Sequence, residues 1–405
     1  MTQYEYSDIS NPQAAKSLGI ILGQCFGDPS PTGWETYAKL IGIENFRIIR
    51  QADQIAGGLA ILSVGQWYNS EIVPTAAIAS VGIAPEYRGS GTAAALLSHT
   101  LKELYTNGVA LSVLYAATQR LYRKVGYEQA GTFCRWEIDA DRIQISDRTL
   151  LIQPINLGDI EVLYKFYQQN AQVTNGHLER NQCLWQLLIE PPKEQEMYAY
   201  LIGSPTQPEG YVIFFQHRES NEFKIVIRDW MVLTEAAGRR LWTLLADHRS
   251  QIEKIQWCSS IIDPLSLLLT QTAKISDSDR WMLRVVDVVK ALSKRGYPLQ
   301  MKAQLNLDIC DDLIEENNGK FVLTVSDGRG EVTKGGTGDL QCHIRALAPL
   351  YTGLFTALQL QQMGQIEATH EALAIATQLF SGSQPWMIVF ADVMIIYALY
   401  YGKYL

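Results

Sequence analysis

A glycine turn between a buried strand and an amphipathic helix constrains this chain more than any other segment. The apolar, small-residue run 72–81 predicts the strand, and leucines recurring on one face after the turn predict the helix. Between them lies the sequence IAPEYRGSGTA (83–93). The first N–H groups of a helix have no intrahelical partner and the helix dipole attracts negative charge, so such a turn can bind an anion. The residues predicted to bind it are Arg88, Gly89, Gly91 and Thr92.

The spacing R-x-x-G-x-A excludes two common nucleotide-binding motifs. It lacks the Gly-Lys-Ser/Thr ending of a P-loop, and it is not the G-x-G-x-x-G of dinucleotide-binding folds. Further along, a strand-like run over 111–116 precedes a short helix that Gly126 ends, which gives the pattern Tyr122-x-x-x-Gly126-Tyr127. An ordinary strand-to-helix turn and a packing tyrosine are the plain structural alternatives for these two features.

Together and in this order, the two signatures resemble those of the GNAT acetyltransferases. The resemblance implies acetyl-coenzyme A as co-substrate, with its pyrophosphate at the turn. It implies that the main chains of Val81 and Ile83 contact the pantetheine arm and that Tyr122 faces the sulfur of coenzyme A. A phenol, with a pKa of about 10, is still protonated where a thiol, with a pKa of about 8.5, has ionised. We therefore expect Tyr122 to be the general acid that protonates the departing thiolate, and Tyr127 to be structural.

The composition fits a globular protein of two or three domains without nucleic acid as a partner. The 405 residues carry a net charge of −8, so there is no basic excess. The cysteines are scattered without a C-x-x-C pair, which favours reduced thiols and a cytoplasmic location. Neither the cysteines nor the histidines fall at metal-ligand spacing, so we expect no metal. The N-terminal sequence is not apolar and does not read as a signal peptide.

Strand and helix patterns divide the chain into three expected units. These units are residues 1–150, 151–280 and 281–405. The second unit repeats the order of the first but lacks an R-x-x-G-x-A turn, and the corresponding segment 234–238 has no phosphate-binding character. We interpret it as a degenerate copy that has lost coenzyme binding. The third unit alternates strand patterns with helical stretches over 346–363 and 368–380.

Almost the whole chain resembles the Eis-type ("enhanced intracellular survival") N-acetyltransferases. The resemblance is carried by the two GNAT-like units and by the segments WMLRVVDV (281–288) and LAPLYTG (347–353), and it extends to about Trp386. It implies an α/β (α+β) fold class, with tandem GNAT acetyltransferase folds, the second degenerate, and a C-terminal sterol-carrier-like α+β domain. It also implies a homo-oligomer, a hexamer.

The chain end departs from that family's pattern. In the family the free α-carboxylate enters the active site and takes the amine proton, which here implies Leu405 as the base. Typical members stop soon after a turn like 385–386, whereas this chain continues through the apolar run 388–405. That run is too short for a membrane span and is interrupted by Asp392. We expect it to pack as a short helix on the surface or at a subunit contact. Leu405 would then lie away from Tyr122, with the base role empty or taken by water or a cleft carboxylate.

The acceptor pocket is the least specified part of the sequence. A Gly/Pro-rich loop over 27–33 brings an acid and an aromatic ring, Asp28 and Trp34, to where a cationic amine could bind. A solvated loop with a packing tryptophan explains the same residues equally well. We expect direct attack by a primary amine of a small cationic molecule, aminoglycoside-like or polyamine-like. Two alternatives stay open: acetylation of protein lysines or N-termini, and a non-catalytic protein whose third domain holds an apolar ligand.

Overall fold

Two β-sheets organise the molecule. The computed structural model describes residues 4–27, 31–158, 160–191, 195–219 and 222–387. One sheet has 13 strands and runs through the first two domains, and the other has 5 strands and forms the third domain. The described part is therefore a mixed α/β protein, as the alternating patterns predict.

The first domain is a mixed sheet with helices on both faces. Its strands are β1 Tyr4–Asp8, β2 Phe46–Gln51, β3 Gln54–Tyr68, β4 Glu71–Ile83, β5 Leu111–Tyr115 and β6 Glu128–Asp139; its helices are α1 Pro12–Phe26, α2 Pro31–Ile41, α3 Thr92–Thr106 and α4 Gln119–Arg123. Residues of β3 alternate between two apolar clusters, one packed on α1 and α2 and the other on α3. This explains why β3 and β4 are apolar at nearly every position instead of alternating.

The second domain repeats this topology. Its strands are β7 Ile152–Pro154, β8 Leu178–Glu179, β9 Met197–Ser204, β10 Gln207–Glu219, β11 Glu222–Val232, β12 Lys254–Ser259 and β13 Lys274–Val285; its helices are α5 Ile160–Ala171, α6 Gln182–Ile189 and α7 Glu235–Ala246. β10 and β11 form an antiparallel hairpin. β11 and β12 are parallel, as β4 and β5 are in the first domain. The second domain is therefore a second copy of the same fold.

The two domains share one sheet because their last strands are exchanged. The strand order is β4-β5-β13-β6-β12-β11, so β13 of the second domain lies between β5 and β6 of the first. β6 in turn pairs with β12 of the second domain. The expected boundary between residues 280 and 281 falls inside β13. The WMLRVVDV segment accordingly begins in the shared sheet, where Trp281 pairs with Tyr115 and Arg284 with Ser112.

The third domain is an α+β unit packed around one apolar core. Its elements are α8 Val288–Lys294, β14 Ala303–Cys310, β15 Gly319–Ser326, β16 Arg329–Lys334, β17 Leu340–His343, α9 Ile344–Thr352, α10 Ala357–Gln362, β18 Ile366–Ala368 and α11 His370–Leu379. The predicted helical stretch 346–363 is two helices, because Gly353 takes a φ of 77° and ends α9. Across the described chain, no helix has the length and apolarity that crossing a bilayer requires.

Candidate functional site

A bulge in β4 lies at the predicted main-chain contacts. Ser80 and Val81 of β4 lie opposite the single residue Leu59 of β3, and Ser80 has a φ of 53°. In the described sheet β4 pairs with β5 only over Thr75–Ala77, so the two strands separate beyond that point. Val81 and Ile83 therefore lie at an opening between two strands, where an extended ligand can meet main-chain groups.

The N-terminus of α3 completes this opening. Gly91 precedes the helix with a φ of 92° and supplies no side-chain cap. The first helical hydrogen bond runs from the Ala95 N–H to the Gly91 carbonyl oxygen, 3.0 Å, and the N–H groups of residues 92–94 precede it. Space is open where a Cβ of Gly89 would lie. The turn thus presents an uncapped helix end and an accessible backbone, which is the arrangement that binds phosphate groups.

The Arg88 side chain ties the turn to the end of β4. Its Nε donates to the Ile83 carbonyl oxygen at 3.0 Å, and its Nη2 lies 3.3 Å from Cys25 Sγ. The residue is exposed, so its charge stays in contact with solvent at the mouth of the turn. A main-chain carbonyl at the end of β4 therefore holds this positive charge.

The corresponding helix end of the second domain cannot offer the same site. The hydroxyl of Thr234, which precedes α7, accepts a hydrogen bond from the Ala237 N–H at 3.1 Å and so occupies one of the free donors. The same hydroxyl donates to Glu209 at 2.6 Å, and Glu235 lies in the first turn of the helix. Two carboxylates and a capped helix end disfavour a bound phosphate. This is the physical basis for calling the second copy degenerate.

Tyr122 lies in α4 and shares one apolar cluster with Val81 and Ile83. The residue is 6% exposed, and its ring meets that of Tyr127 edge to face at 5.9 Å. Among the described residues its hydroxyl has no hydrogen-bond partner. Burial raises the pKa of Tyr122 to about 12, so the phenol is neutral near pH 7. Tyr127 is fully buried and shares a 2.7 Å hydrogen bond with Ser112.

A buried ion pair that the sequence analysis did not identify lies beneath the turn after α4. Gly126 has a φ of 93°, and a Cβ there would lie 2.7 Å from Nε of Arg284. Arg284 Nη2 donates to both carboxylate oxygens of Asp311, at 2.8 and 2.6 Å. Burial alone would raise the pKa of Asp311, but the charge and hydrogen bonds of Arg284 hold it below its ordinary value. The glycine in the tyrosine pattern is required because an arginine of the WMLRVVDV segment fills the space below it.

The end of the described chain enters the gap between the first two domains. Trp386 forms a parallel bridge with Thr132 of β6. Met387 is fully buried, and its carbonyl oxygen accepts a hydrogen bond from the Tyr115 hydroxyl at 2.6 Å. Tyr115 is the last residue of β5, immediately before the segment that carries Tyr122. The candidate base Leu405 lies outside the described residues, as does the rest of the run 388–405.

His177 packs against this C-terminal segment. Its ring lies 4.6 Å from that of Trp386 and stacks on Tyr167 at 5.8 Å. Neither ring nitrogen has a hydrogen-bond partner in the described structure. Burial first, and the nearby charge of Arg180 second, lower the pKa of His177 to about 3. A lone histidine carries no sequence signal, so only the packing identifies it as a neutral group beside the chain end.

The two predicted acceptor residues are not equally placed. Asp28 lies outside the described residues. Trp34 is 8% exposed, fills the space above Gly19 and meets Phe46 edge to face at 5.2 Å. The same tryptophan lines an open depression of about 490 Å³ whose wall includes Glu35. Trp34 is thus mainly a packing residue with one edge near a surface hollow.

Two further features concern a metal ion and an apolar ligand. Within the described ranges no group of three residues is arranged to hold a metal ion. In the third domain an open depression of about 370 Å³ is lined mostly by polar groups, among them Asp308, Cys310, Gln341 and Glu367. That lining gives no support to an apolar ligand.

Three family models match successive parts of the chain. An acetyltransferase (GNAT) domain matches residues 16–130, a second acetyltransferase (GNAT) domain matches 176–285, and a sterol carrier protein domain matches 288–388. The order is that of the three structural domains, with the boundary between the second and third after β13.

Relatives match over most of the chain. A GCN5-related N-acetyltransferase from Anabaena variabilis is 50% identical, with a TM-score of 0.93 over 96% of this chain and 100% of that one. A GCN5-related N-acetyltransferase from Kribbella flavida is 25% identical, with a TM-score of 0.85 over 96% and 98%. The N-acetyltransferase Eis of Mycobacterium tuberculosis is 26% identical over 374 residues, 86% of this chain and 88% of its own.

Proposed function

Because this chain belongs to the GCN5-related N-acetyltransferases and has the domain organisation of the Eis type, we propose that it acetylates a primary amine of a small cationic molecule, aminoglycoside-like or polyamine-like. The family makes it an enzyme that uses acetyl-coenzyme A. The observation that carries the proposed site is the uncapped N-terminus of α3 beside the opening between β4 and β5. A non-catalytic role for the whole chain no longer fits.

We assign the coenzyme contacts to one continuous stretch. The N–H groups at the start of α3, the backbone of Gly89 and Gly91 and the buried Thr92 would hold the pyrophosphate, with the charge of Arg88 beside them. The main chains of Val81 and Ile83 would pair with the pantetheine arm as an added strand does. These residues fit the group because the helix end is uncapped and the space at Gly89 is open.

Acetyl-coenzyme A supplies an activated carbonyl, whose C–S bond breaks as a C–N bond to the amine forms in one direct transfer. Tyr122 donates a hydrogen bond to the departing sulfur and then its proton. A phenol of pKa about 12 is a weaker acid than an aqueous thiol by about 3.5 units, so full transfer to a free thiolate in water would be unfavourable. Transfer in this site therefore requires that exclusion of water raise the proton affinity of the departing sulfur at least as much as burial raises the pKa of Tyr122, and the tyrosinate that remains must regain a proton before the next turnover.

The amine must lose a proton to a base, and the base is the open part of the mechanism. The family resemblance assigns it to the α-carboxylate of Leu405, while water or a cleft carboxylate is the alternative. The chain enters the gap between the first two domains as far as Met387. There, the Met387 carbonyl oxygen accepts a hydrogen bond from the Tyr115 hydroxyl.

A truncation after Met387 tests the base. It creates a new α-carboxylate where the Tyr115 hydroxyl now bonds the Met387 carbonyl oxygen. Higher activity in the truncated protein would show that the run 388–405 obstructs the site. Loss of activity on truncation would instead support Leu405 as the base.

The acceptor class is tested with a panel of amines. A small cation suits the net charge of −8 and the carboxylate beside Trp34. Thiol release from acetyl-coenzyme A should be fastest with aminoglycosides or polyamines and slow with small primary amines of low charge. If mass spectrometry finds acetyl groups mainly on lysines or N-termini of added proteins, the acceptor is a protein and the proposal fails.

Assembly and location complete the proposal. By resemblance to its family, we propose that the chain forms a homo-oligomer, a hexamer. Light scattering at micromolar concentration that gives the 45.5 kDa of one chain would contradict this. A cytoplasmic location agrees with the six cysteines, all of which are free thiols.

A further inference from the structure

The bulge in β4 is held in a conformation that its own residue disfavours. Ser80 adopts a φ of 53°, in the left-handed region that residues with a Cβ avoid. It is also buried, 7% exposed, inside a long strand whose other residues are extended. Such a conformation persists only when surrounding contacts fix it.

A buried side-chain contact to this residue comes from α2. The hydroxyl of Tyr37 lies 2.6 Å from Ser80 Oγ, and this hydrogen bond is buried. Tyr37 is itself 7% exposed, and its ring meets Phe46 edge to face at 5.9 Å, which fixes the direction of its hydroxyl. The Tyr37 hydroxyl therefore reaches the bulge from a rigid position across the face of the sheet.

The bulge determines how the next residue is presented. Ser80 and Val81 together oppose Leu59, so the backbone conformation of Ser80 sets the direction of the peptide group that joins it to Val81. In a regular strand the main-chain groups of successive residues point to alternate sides, so the extra residue of the bulge changes which groups face β3 and which face the opening toward β5.

We propose that Tyr37 is a positioning residue for coenzyme binding, which acts through its hydrogen bond to Ser80 on the main chain of Val81. This inference rests on the coenzyme site given above, in which Val81 contacts the pantetheine arm. Tyr37 itself contacts no coenzyme in this scheme. Its role is to keep the strand from relaxing to an ordinary extended pairing.

The test measures the Kd of acetyl-coenzyme A by calorimetry, well below the melting temperature of each variant. Tyr37→Phe and Ser80→Ala should each weaken binding by about tenfold, as the loss of one buried hydrogen bond can. The double variant should bind no more weakly than Tyr37→Phe alone, because Ser80→Ala acts through a bond that Tyr37→Phe has already removed. Ser80→Gly should stay within about threefold of wild type, since glycine adopts this φ without help.

The matched control is Tyr297→Phe. It removes a hydroxyl from a tyrosine that is also buried and that donates to the Leu292 carbonyl oxygen at the same 2.6 Å, but in the third domain. Its Kd should equal that of wild type.

Three results would overturn the inference: wild-type Kd in Tyr37→Phe or Ser80→Ala, additive losses in the double variant, or Ser80→Gly binding as weakly as Ser80→Ala. Absence of binding in the wild-type protein would instead refute the proposed coenzyme site.

Discussion

Replacing Tyr122 and Tyr127 by phenylalanine, one at a time, should separate chemistry from stability. In Tyr122→Phe the ring and its packing remain, and the lost hydroxyl has no partner among the described residues. The free energy of unfolding should therefore change by less than about 0.5 kcal/mol. If the phenol protonates the departing sulfur, kcat should fall by roughly 10²–10⁴, or about 2.7–5.4 kcal/mol of barrier.

Tyr127→Phe is the matched control for this change. Its hydroxyl shares a buried 2.7 Å hydrogen bond with Ser112, and Ser112 is fully buried. The substitution leaves the serine hydroxyl without that partner, which costs about 1–3 kcal/mol of stability. Because Tyr127 takes no part in the proposed transfer, kcat should stay within about threefold of wild type.

The assay combines thiol release at saturating acetyl-coenzyme A with urea denaturation of both variants. The pH profile adds a third readout. With the pKa of Tyr122 raised to about 12, the phenol keeps its proton through ordinary alkaline pH, so no loss of kcat below about pH 11 should trace to its ionisation. A Tyr122→Phe protein that turns over at the wild-type rate, or that is destabilised as much as Tyr127→Phe, would falsify this reasoning.

Three further outcomes follow from the same geometry. Burial lowers the pKa of His177 to about 3, so below pH 6.5 the unfolded chain binds a proton that the native state does not. The free energy of unfolding should therefore fall by about 2 kcal/mol between pH 7 and pH 5 because of this group. His177→Phe should remove that part of the pH dependence when unfolding is measured by urea titration. Asp311→Asn should cost about 3–5 kcal/mol of unfolding free energy because it leaves Arg284 buried without its counter-charge, whereas replacing both by apolar residues should recover most of it. Gly91→Glu puts a carboxylate at the uncapped end of α3 and should abolish acetyl-coenzyme A binding in calorimetry, while the same charge at exposed Gly158 of the second domain should leave it intact.

The sequence could specify those parts of the site that are contiguous in the chain. The strand, turn and helix around 83–93 follow from a local apolar pattern and glycine positions, and the structure has all three where they are expected. The tyrosine pattern at 122–127 is likewise one short helix and its ending turn. The loss of the anion-binding turn in the second copy could be predicted for the same reason. There, Thr234 and its neighbours replace the turn within five residues of sequence.

Only the tertiary structure decided how these local pieces are held. The exchange of β13 and β6 between domains, the Tyr37–Ser80 bond and the Tyr115–Met387 contact join segments that lie far apart, in the last case by 272 positions. The periodicity of apolar residues cannot predict such contacts. It indicates which face of a helix or strand is buried, but not which distant segment packs against that face. Gly126 shows the division well. Its place after a short helix could be predicted from the sequence. The reason that it must be glycine is the side chain of Arg284, which lies on β13 of the second domain and fills the space next to it.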